Sequence, residues 1–187
     1  MPKQKITKEE ILSAAFQLLR KKGLEAVNAR SVAKEAGCSV QPIYSSYTNM
    51  DELLKELFEY CRSYQLDYVR NQLDEENYFG SAGRGHILFA REEKNLFRFL
   101  FLSRFVRGRS LEDIYKQYGI PEVTGSIEKM LGLTFDEARQ LYLDLMIYTH
   151  GIAAMLATDA LDTADEDIHR NVDHAYHAFL EEARRKK

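Results

Sequence analysis

The sequence lacks the cysteine framework, the metal-ligand spacing and the long apolar run that mark disulfide-rich, metal-binding and membrane-spanning proteins. Its 187 residues include two cysteines, Cys38 and Cys61, which are too few for a disulfide framework and lack the spacing of metal ligands. No run of about 18 apolar residues occurs, so the sequence predicts no transmembrane helix. The first residues also lack the apolar core of a signal peptide. We therefore expect a cytoplasmic protein with no membrane partner.

Catalytic signatures are missing as well. The sequence shows no nucleophile–base pair, phosphate-cradling glycine loop, paired carboxylates or zinc motif. His169, His174 and His177 lie close together in the sequence, but no carboxylate or thiol constellation completes a metal site. We therefore predict neither an enzyme nor a metal or other cofactor. A small helical enzyme and a helical adaptor that binds a protein through residues 95–118 remain as alternatives.

Proline is scarce, at three residues, and helix formers dominate the chain. Four segments, beginning at Thr7, Asn49, Thr134 and Thr163, resemble capping boxes and precede apolar runs of helical period. The segment 77–85 holds three glycines and predicts a mobile loop. Strand alternation, internal repeats and low-complexity linkers are not evident, so we predict an all-α fold. The predicted helices span 8–22, 29–36, 40–46, 50–76, 82–92, 95–107, 110–118, 122–132, 135–159 and 165–185.

Positive charge is concentrated at one end of the chain. Residues 1–50 contain eight Lys and Arg against four Asp and Glu, whereas residues 51–187 contain eighteen against twenty-five. A net charge of −3 argues against a protein that coats nucleic acid along its whole surface. A basic segment joined to an acidic remainder suits contact with a polyanion at one end, although the same asymmetry also arises by chance.

Residues 27–47 have the spacing of a helix-turn-helix, in which a sharp turn joins two short helices. Asn28 can cap the first helix, and Gly37 suits the turn because glycine adopts positive φ without strain. Ser39 can cap the second helix, whose first turn tolerates Pro42 since the missing N–H is harmless there. A generic helical hairpin with no ligand has the same spacing.

The outer face of the second short helix is the predicted reading surface. Ile43 and Tyr47 are four residues apart and can pack inward, which leaves the other face for DNA. Such a helix can enter the major groove, where glutamine pairs with adenine and hydroxyl groups suit phosphate oxygens. The candidate DNA-binding residues are Arg30, Ser39, Val40, Gln41, Tyr44, Ser45 and Ser46.

A longer pattern surrounds the helix-turn-helix. It comprises a first helix ending at Gly23, the run Arg30-Ser-Val-Ala-Lys-Glu-Ala-Gly37, the pair Ile43-Tyr44, the aromatic Tyr47, and Asn49-x-Asp51-Glu-Leu53-Leu54. In this pattern about the first 60 residues resemble the TetR (tetracycline-repressor-type) family. One departure is Met50, since family members often carry a lysine there that contacts phosphate.

The resemblance implies a one-component bacterial transcription regulator with a three-helix DNA-binding domain over 1–48. It also implies a helical ligand-sensing and dimerisation domain over 49–187. We expect a homodimer that binds a palindromic DNA operator, acts as a repressor, and is released by a small-molecule effector.

Aromatic residues crowd the middle of the chain, where the resemblance implies an effector pocket. Any one of them taken alone is better explained as plain core, so the pocket prediction depends on the group and on the resemblance. Asp144 would favour a cationic ligand if it faced a pocket, and would have no such role on an exposed face. The predicted pocket residues are Phe89, Phe97, Phe101, Phe105, Tyr115, Tyr118, Met130, Tyr142, Asp144 and Met146.

The last two predicted helices carry the expected dimer seam. Small residues there allow helices to approach closely, and two such helix pairs would form an intermolecular four-helix bundle. The same face could instead pack within one subunit, but the resemblance favours the dimer. The predicted seam residues are Gly151, Ala154, Ala157, Val172, Tyr176, Phe179 and Leu180.

Overall fold

The computed structural model describes residues 6–106, 108 and 110–185. Within these residues the chain forms ten α-helices, one short 3-10 turn at Leu24–Ala26 and no strand, which confirms the predicted all-α fold. The helices are α1 Lys8–Lys22, α2 Ala29–Glu35, α3 Gln41–Ser46, α4 Met50–Arg70, α5 Tyr78–Glu92, α6 Lys94–Phe101, α7 Leu111–Tyr118, α8 Pro121–Leu131, α9 Phe135–Ala157 and α10 Asp165–Arg185.

Capping boxes start α1 and α9. The backbone N–H of Glu10 donates to the hydroxyl of Thr7 over 3.2 Å, and the N–H of Thr7 donates to the Glu10 carboxylate over 2.8 Å. Thr134 and Glu137 repeat this exchange at 3.4 and 2.7 Å. Because each box satisfies two N–H groups that have no partner in the helix, the helix start is fixed by residues close in sequence.

The expected mobile loop at 77–85 is wrong, because α5 begins at Tyr78 and runs through it. The Asn77 side chain accepts from the N–H of Gly80 over 3.0 Å, which supports the first turn. The glycines also allow close packing: a Cβ on Gly85 would lie 3.3 Å from the Cβ of Gln72. They therefore belong to a packed helix rather than to a flexible connection.

The described chain separates into two compact units. Unit 1 comprises Met1–Leu66 and Glu93–Val106, and unit 2 comprises Asp67–Glu92 and Arg107–Lys187. Residues 93–106, which contain α6, thus pack with the N-terminal helices although the sequence places them in the second half of the chain. The predicted domain boundary at residue 48 stays a prediction.

The core of unit 1 lies between α1, α2, α3, the first part of α4 and α6. In it α1 packs against α2 and α6. Its most deeply buried side chains come from all five helices: Ile11, Ala15, Leu19, Val32, Ile43, Leu53, Leu57, Leu96, Phe97 and Leu100.

Unit 2 is organised around α9, which packs against α5, α8 and α10. One of its apolar clusters joins Ile87, Ile152, Leu156 and Ile168, with Tyr148, Leu161 and Val172 packed against it. Among the residues that the structure describes, no helix combines the length and apolar character needed to cross a membrane.

Candidate nucleic-acid interface

The first helix of the helix-turn-helix, α2, begins as the sequence predicts. The Asn28 side chain accepts from the N–H of Ser31 over 3.1 Å and so caps the helix. After α2 the chain turns at Gly37, where φ is +68°. Because residues with a Cβ rarely adopt this left-handed conformation, glycine is the residue that the turn requires.

The second helix, α3, begins one residue later than expected. Its N-cap residue is Val40, and no side chain caps it among the described hydrogen bonds. The predicted Ser39 cap is therefore wrong, because Ser39 lies one residue before the position whose side chain could reach the first free N–H groups. Pro42 occupies the first turn, as predicted, where its missing N–H costs nothing.

One face of α3 is buried in unit 1 and the other is exposed. Ile43 and Tyr47 are 1% and 2% exposed, whereas Tyr44 is 56% exposed. Burial raises the pKa of the Tyr47 hydroxyl, and the ammonium of Lys8 lies 4.8 Å from the centre of its ring. The predicted inward packing of Ile43 and Tyr47 is confirmed.

The predicted DNA-binding residues all retain accessible surface. Val40 and Ser46 are partly buried, and the hydroxyl of Ser45 donates to the carbonyl of Gln41 over 3.1 Å. The sequence of α3 contains no charged side chain. Any cation that meets a phosphate near α3 must therefore come from a neighbouring element. The exposed members of the predicted set are Arg30, Ser39, Gln41, Tyr44 and Ser45.

Unit 1 also contains a polar junction that the sequence analysis missed. Glu93, only 7% exposed, accepts two hydrogen bonds from the guanidinium of Arg20, one of them 2.9 Å long from Nε. The hydroxyl of Tyr64 lies 3.2 Å from the same carboxylate, and the amide of Asn95 donates to the Arg20 carbonyl over 3.0 Å. The junction fastens the start of α6 to α1 and α4. Its partners are up to 75 residues apart, so no local sequence signal could identify it.

The predicted effector-pocket residues are divided between the two units. Three of them, Phe97, Phe101 and Phe105, belong to unit 1. Phe97 is fully buried, with its ring centre 4.7 Å from that of Phe101, and Phe105 packs 5.4 Å from Phe99. These three rings are part of the packing of α6 and the segment after it.

The remaining predicted pocket residues lie in unit 2. The Tyr142 hydroxyl accepts from the N–H of Ile120 over 3.3 Å, and burial raises its pKa to about 12. The Tyr115 hydroxyl lies 2.6 Å from that of Thr124, and Asp144 accepts from Gln140 over 2.8 Å. The set varies widely in exposure: Phe89 is buried, Tyr118 and Met146 are partly buried, and Met130 is 54% exposed.

Unit 2 also brings two histidines together between α5 and α9. Nδ1 of His150 lies 3.4 Å from Nε2 of His86, and the rings stack with centres 5.6 Å apart. Desolvation and the neighbouring His150 lower the pKa of His86 to about 3, and desolvation also lowers the pKa of His150. Both rings are therefore neutral near pH 7. The pairing depends on helix packing, which the sequence alone does not reveal.

The predicted dimer-seam residues differ in how much of their surface a partner could contact. Ala157 and Leu180 are buried inside unit 2, so little of their surface can be reached. Val172 packs against the apolar cluster of unit 2, and the Tyr176 ring lies 5.4 Å from that of Phe79. Gly151 is exposed, and the other two members of the set, Ala154 and Phe179, are partly buried.

Comparison with known proteins gives one sequence match and several matches of fold. A search of curated proteins finds no match to the chain. Residues 11–57 match the family described as "Bacterial regulatory proteins, tetR family". This segment begins within α1 and ends within α4, so it contains the whole helix-turn-helix.

Solved structures share the fold at low sequence identity. A putative TetR-family transcriptional regulator from Vibrio parahaemolyticus is 15% identical with a TM-score of 0.66, covering 91% of this chain and 97% of that one. A transcriptional regulator from Rhodococcus sp. Rha1 is 17% identical with a TM-score of 0.59, covering 94% and 97%.

A TetR variant from Acinetobacter baumannii AYE in complex with minocycline is 18% identical with a TM-score of 0.53, and the alignment covers 96% of this chain and 94% of that one. These likenesses extend the agreement in fold beyond the matched N-terminal segment. Residues 11–57 therefore match the tetR family of bacterial regulatory proteins over the whole helix-turn-helix, and the surrounding helices share the fold of solved TetR-family regulators.

Proposed function

We propose that the protein is a repressor that binds a palindromic operator as a homodimer and leaves it when a small molecule binds. The observation that supports this most directly is the outer face of α3, which is exposed above the buried Ile43 and Tyr47. A homodimer would present two copies of α3 related by a twofold axis. Two such helices reach successive major grooves when they lie about 34–36 Å apart.

In this proposal the residues around α3 have separate tasks. Gln41, in the first turn, reads a base edge, for which adenine is the favoured partner of a glutamine side chain. Tyr44 and Arg30 contact the phosphate backbone and fix the register of the helix. Val40 and Ser46 complete the reading surface, and Ser39 and Ser45 lie at its margin.

Titration of a labelled operator duplex at several salt concentrations tests this interface. We expect Tyr44→Ala and Arg30→Ala each to weaken binding by about tenfold, and Arg30→Ala also to reduce the dependence on salt. Tyr60→Ala, which removes an exposed tyrosine from α4, is the matched control and should leave affinity unchanged. Unchanged affinity in both interface variants would contradict the proposed reading surface.

We place the effector site in unit 2. The TetR variant that shares this fold was solved with minocycline, a small molecule. Unit 2 of the present chain combines predicted pocket residues, such as Tyr142 and Met146, with the neutral histidine pair His86 and His150. Such a mixture of aromatic surface and a few polar groups is typical of small-molecule sites.

A thermal-shift screen of metabolites and drugs tests the effector proposal, because a compound that binds only the folded state raises the melting temperature. A compound found in this way should also weaken operator binding by about 5- to 150-fold, the usual range of allosteric coupling. Compounds that raise the melting temperature without changing operator affinity would count against the switch.

For the homodimer we propose the exposed face of α9. Ile147, Gly151 and Met155 follow one another at intervals of four residues, and the two larger side chains are 47% and 43% exposed. A Cβ on Gly151 would meet no atom within 4 Å in its own chain. A second copy could therefore approach closely along this face.

Sedimentation velocity separates this proposal from a monomer. Gly151→Arg should convert a dimer to a monomer, because the long charged side chain would stand in the interface. Gly125→Arg is the matched control, since the same construction at Gly125 in α8 also meets nothing within 4 Å. A wild-type monomer at micromolar concentration, or an intact dimer in Gly151→Arg, would contradict the proposed face.

A further inference from the structure

Helix α3 itself supplies no cation to DNA, and in the proposed interface Arg30 of α2 is the only cation assigned to a phosphate. Affinity for DNA depends on Lys and Arg side chains that neutralise phosphates and release bound counterions. However, α3 contains no charged residue, and α4 begins with the uncharged Met50. Asp51 and Glu52 follow in the first turn of α4, so this end of the helix carries negative charge.

A cation from a distant part of the sequence lies at this position. Nη2 of Arg104 is 2.6 Å from Oδ1 of Asp51, and the two side chains are 69% and 62% exposed. Both residues belong to unit 1. Only Tyr47, Thr48 and Asn49 separate the last residue of α3 from the first of α4. The guanidinium of Arg104 therefore lies at the first turn of α4, beside a residue that follows the end of α3 by five positions.

Aromatic packing fixes the segment that carries Arg104. Its guanidinium carbon lies 5.2 Å from the ring centre of Phe105. The Phe105 ring in turn packs 6.0 Å from Phe58 of α4 and 5.4 Å from Phe99 of α6. Because these rings tie the segment to α4, the ion pair with Asp51 is a feature of the fold.

The negative charge at the start of α4 explains how Arg104 could favour DNA binding. The Asn49 side chain accepts from the N–H of Glu52 over 3.0 Å and so caps α4, while the Glu52 carboxylate accepts from the N–H of Thr48 over 2.7 Å. Asp51 would repel a nearby phosphate, and Arg104 cancels that charge. A guanidinium has five N–H donors in a planar fork that suits phosphate oxygens, and Asp51 engages one of its nitrogens.

We propose that Arg104 is a DNA-backbone contact: its guanidinium, held at the start of α4 by Asp51, binds an operator phosphate beside α3. The inference rests on the proposed binding of DNA by α3 and adds a contact from the segment that follows α6. A surface ion pair with no role in DNA binding is the competing explanation.

Salt-dependent binding distinguishes the two explanations. Each phosphate contact contributes about 0.9 to the slope of log affinity against log salt, so a dimer with two Arg104 contacts gains about 1.8 from them. We expect Arg104→Gln to lower the slope by about that amount and to weaken binding about tenfold or more near 0.1 M salt. Arg104→Lys should retain most of the slope, since the charge remains.

Arg170→Gln is the matched control, because Arg170 is 74% exposed and pairs with Asp167 on α10. Its slope should equal that of the wild type, and thermal melting should confirm that every variant is folded. If Arg104→Gln and Arg170→Gln show the same slope as a wild type that binds DNA, the Arg104 proposal is overturned while the reading surface stands. If the wild type itself binds no duplex, both proposals are overturned.

Discussion

Removal of the Arg20 guanidinium would leave the buried carboxylate of Glu93 without its main partner. In the folded protein Glu93 is 7% exposed and accepts two hydrogen bonds from Arg20, with the Tyr64 hydroxyl as a third neighbour. Loss of one partner from a fully buried ion pair costs about 3–5 kcal/mol. Because the Arg20 side chain is 43% exposed, water screens part of the interaction. We therefore expect Arg20→Ala to lower the free energy of unfolding by about 2 kcal/mol.

The uncompensated charge on Glu93 causes this loss of unfolding free energy. A second substitution tests that cause. Glu93→Gln keeps the shape of the side chain but removes the charge that Arg20 neutralises. The double variant Arg20→Ala with Glu93→Gln should therefore be more stable than Arg20→Ala alone, by about 1 kcal/mol. If the Arg20 effect came only from lost packing of its methylene groups, the second substitution would bring no recovery.

Urea unfolding followed by circular dichroism, at one protein concentration, measures these differences. Arg62→Ala is the matched control: Arg62 is 41% exposed and pairs with Glu59, which is 62% exposed. A surface pair of this kind contributes about 0–1 kcal/mol. Equal stability of Arg20→Ala and Arg62→Ala would refute the reasoning.

Two further measurements test local features of the fold. The pKa of His86 is lowered to about 3 from an ordinary 6.5, so the unfolded chain takes up a proton first as the pH falls. The free energy of unfolding should therefore decrease from pH 6.5 to 5 by about 1.5 kcal/mol more in the wild type than in His86→Gln. The exposed His169→Gln should follow the wild type, and parallel curves for all three proteins would be inconsistent with a buried neutral His86. Asn28→Ala should lower the unfolding free energy by about 1 kcal/mol through loss of the α2 cap, whereas Ser39→Ala should change it by less than about 0.5 kcal/mol. Equal losses in both variants would show that the Asn28 cap is not what stabilises α2.

The sequence predicted those features that depend on neighbours a few residues apart. The box at Thr7, the Asn28 cap and the turn at Gly37 each need one local hydrogen bond or one backbone conformation. The inward packing of Ile43 and Tyr47 followed from their spacing of four. These features can be predicted from the sequence because each depends on particular residue types at short, fixed spacings.

Features that depend on tertiary packing escaped prediction. The glycines of 77–85 indicated a loop because glycine is a weak helix former, yet Gly85 allows α5 to approach Gln72 closely. The junction of Arg20 with Glu93 and the pairing of His86 with His150 join residues 73 and 64 positions apart. Only the packing of the helices brings such residues together. The residue pattern within one helix therefore does not indicate these contacts.

Selection of bound duplexes from a random-sequence pool is the most direct test of α3 as a reading helix used in pairs. The wild-type protein should enrich two inverted half-sites with centres about 10–10.5 base pairs apart, and Tyr44→Ala should enrich them weakly or not at all. A wild-type protein that enriches no sequence, or one whose enriched sequences lack twofold symmetry, would contradict the account.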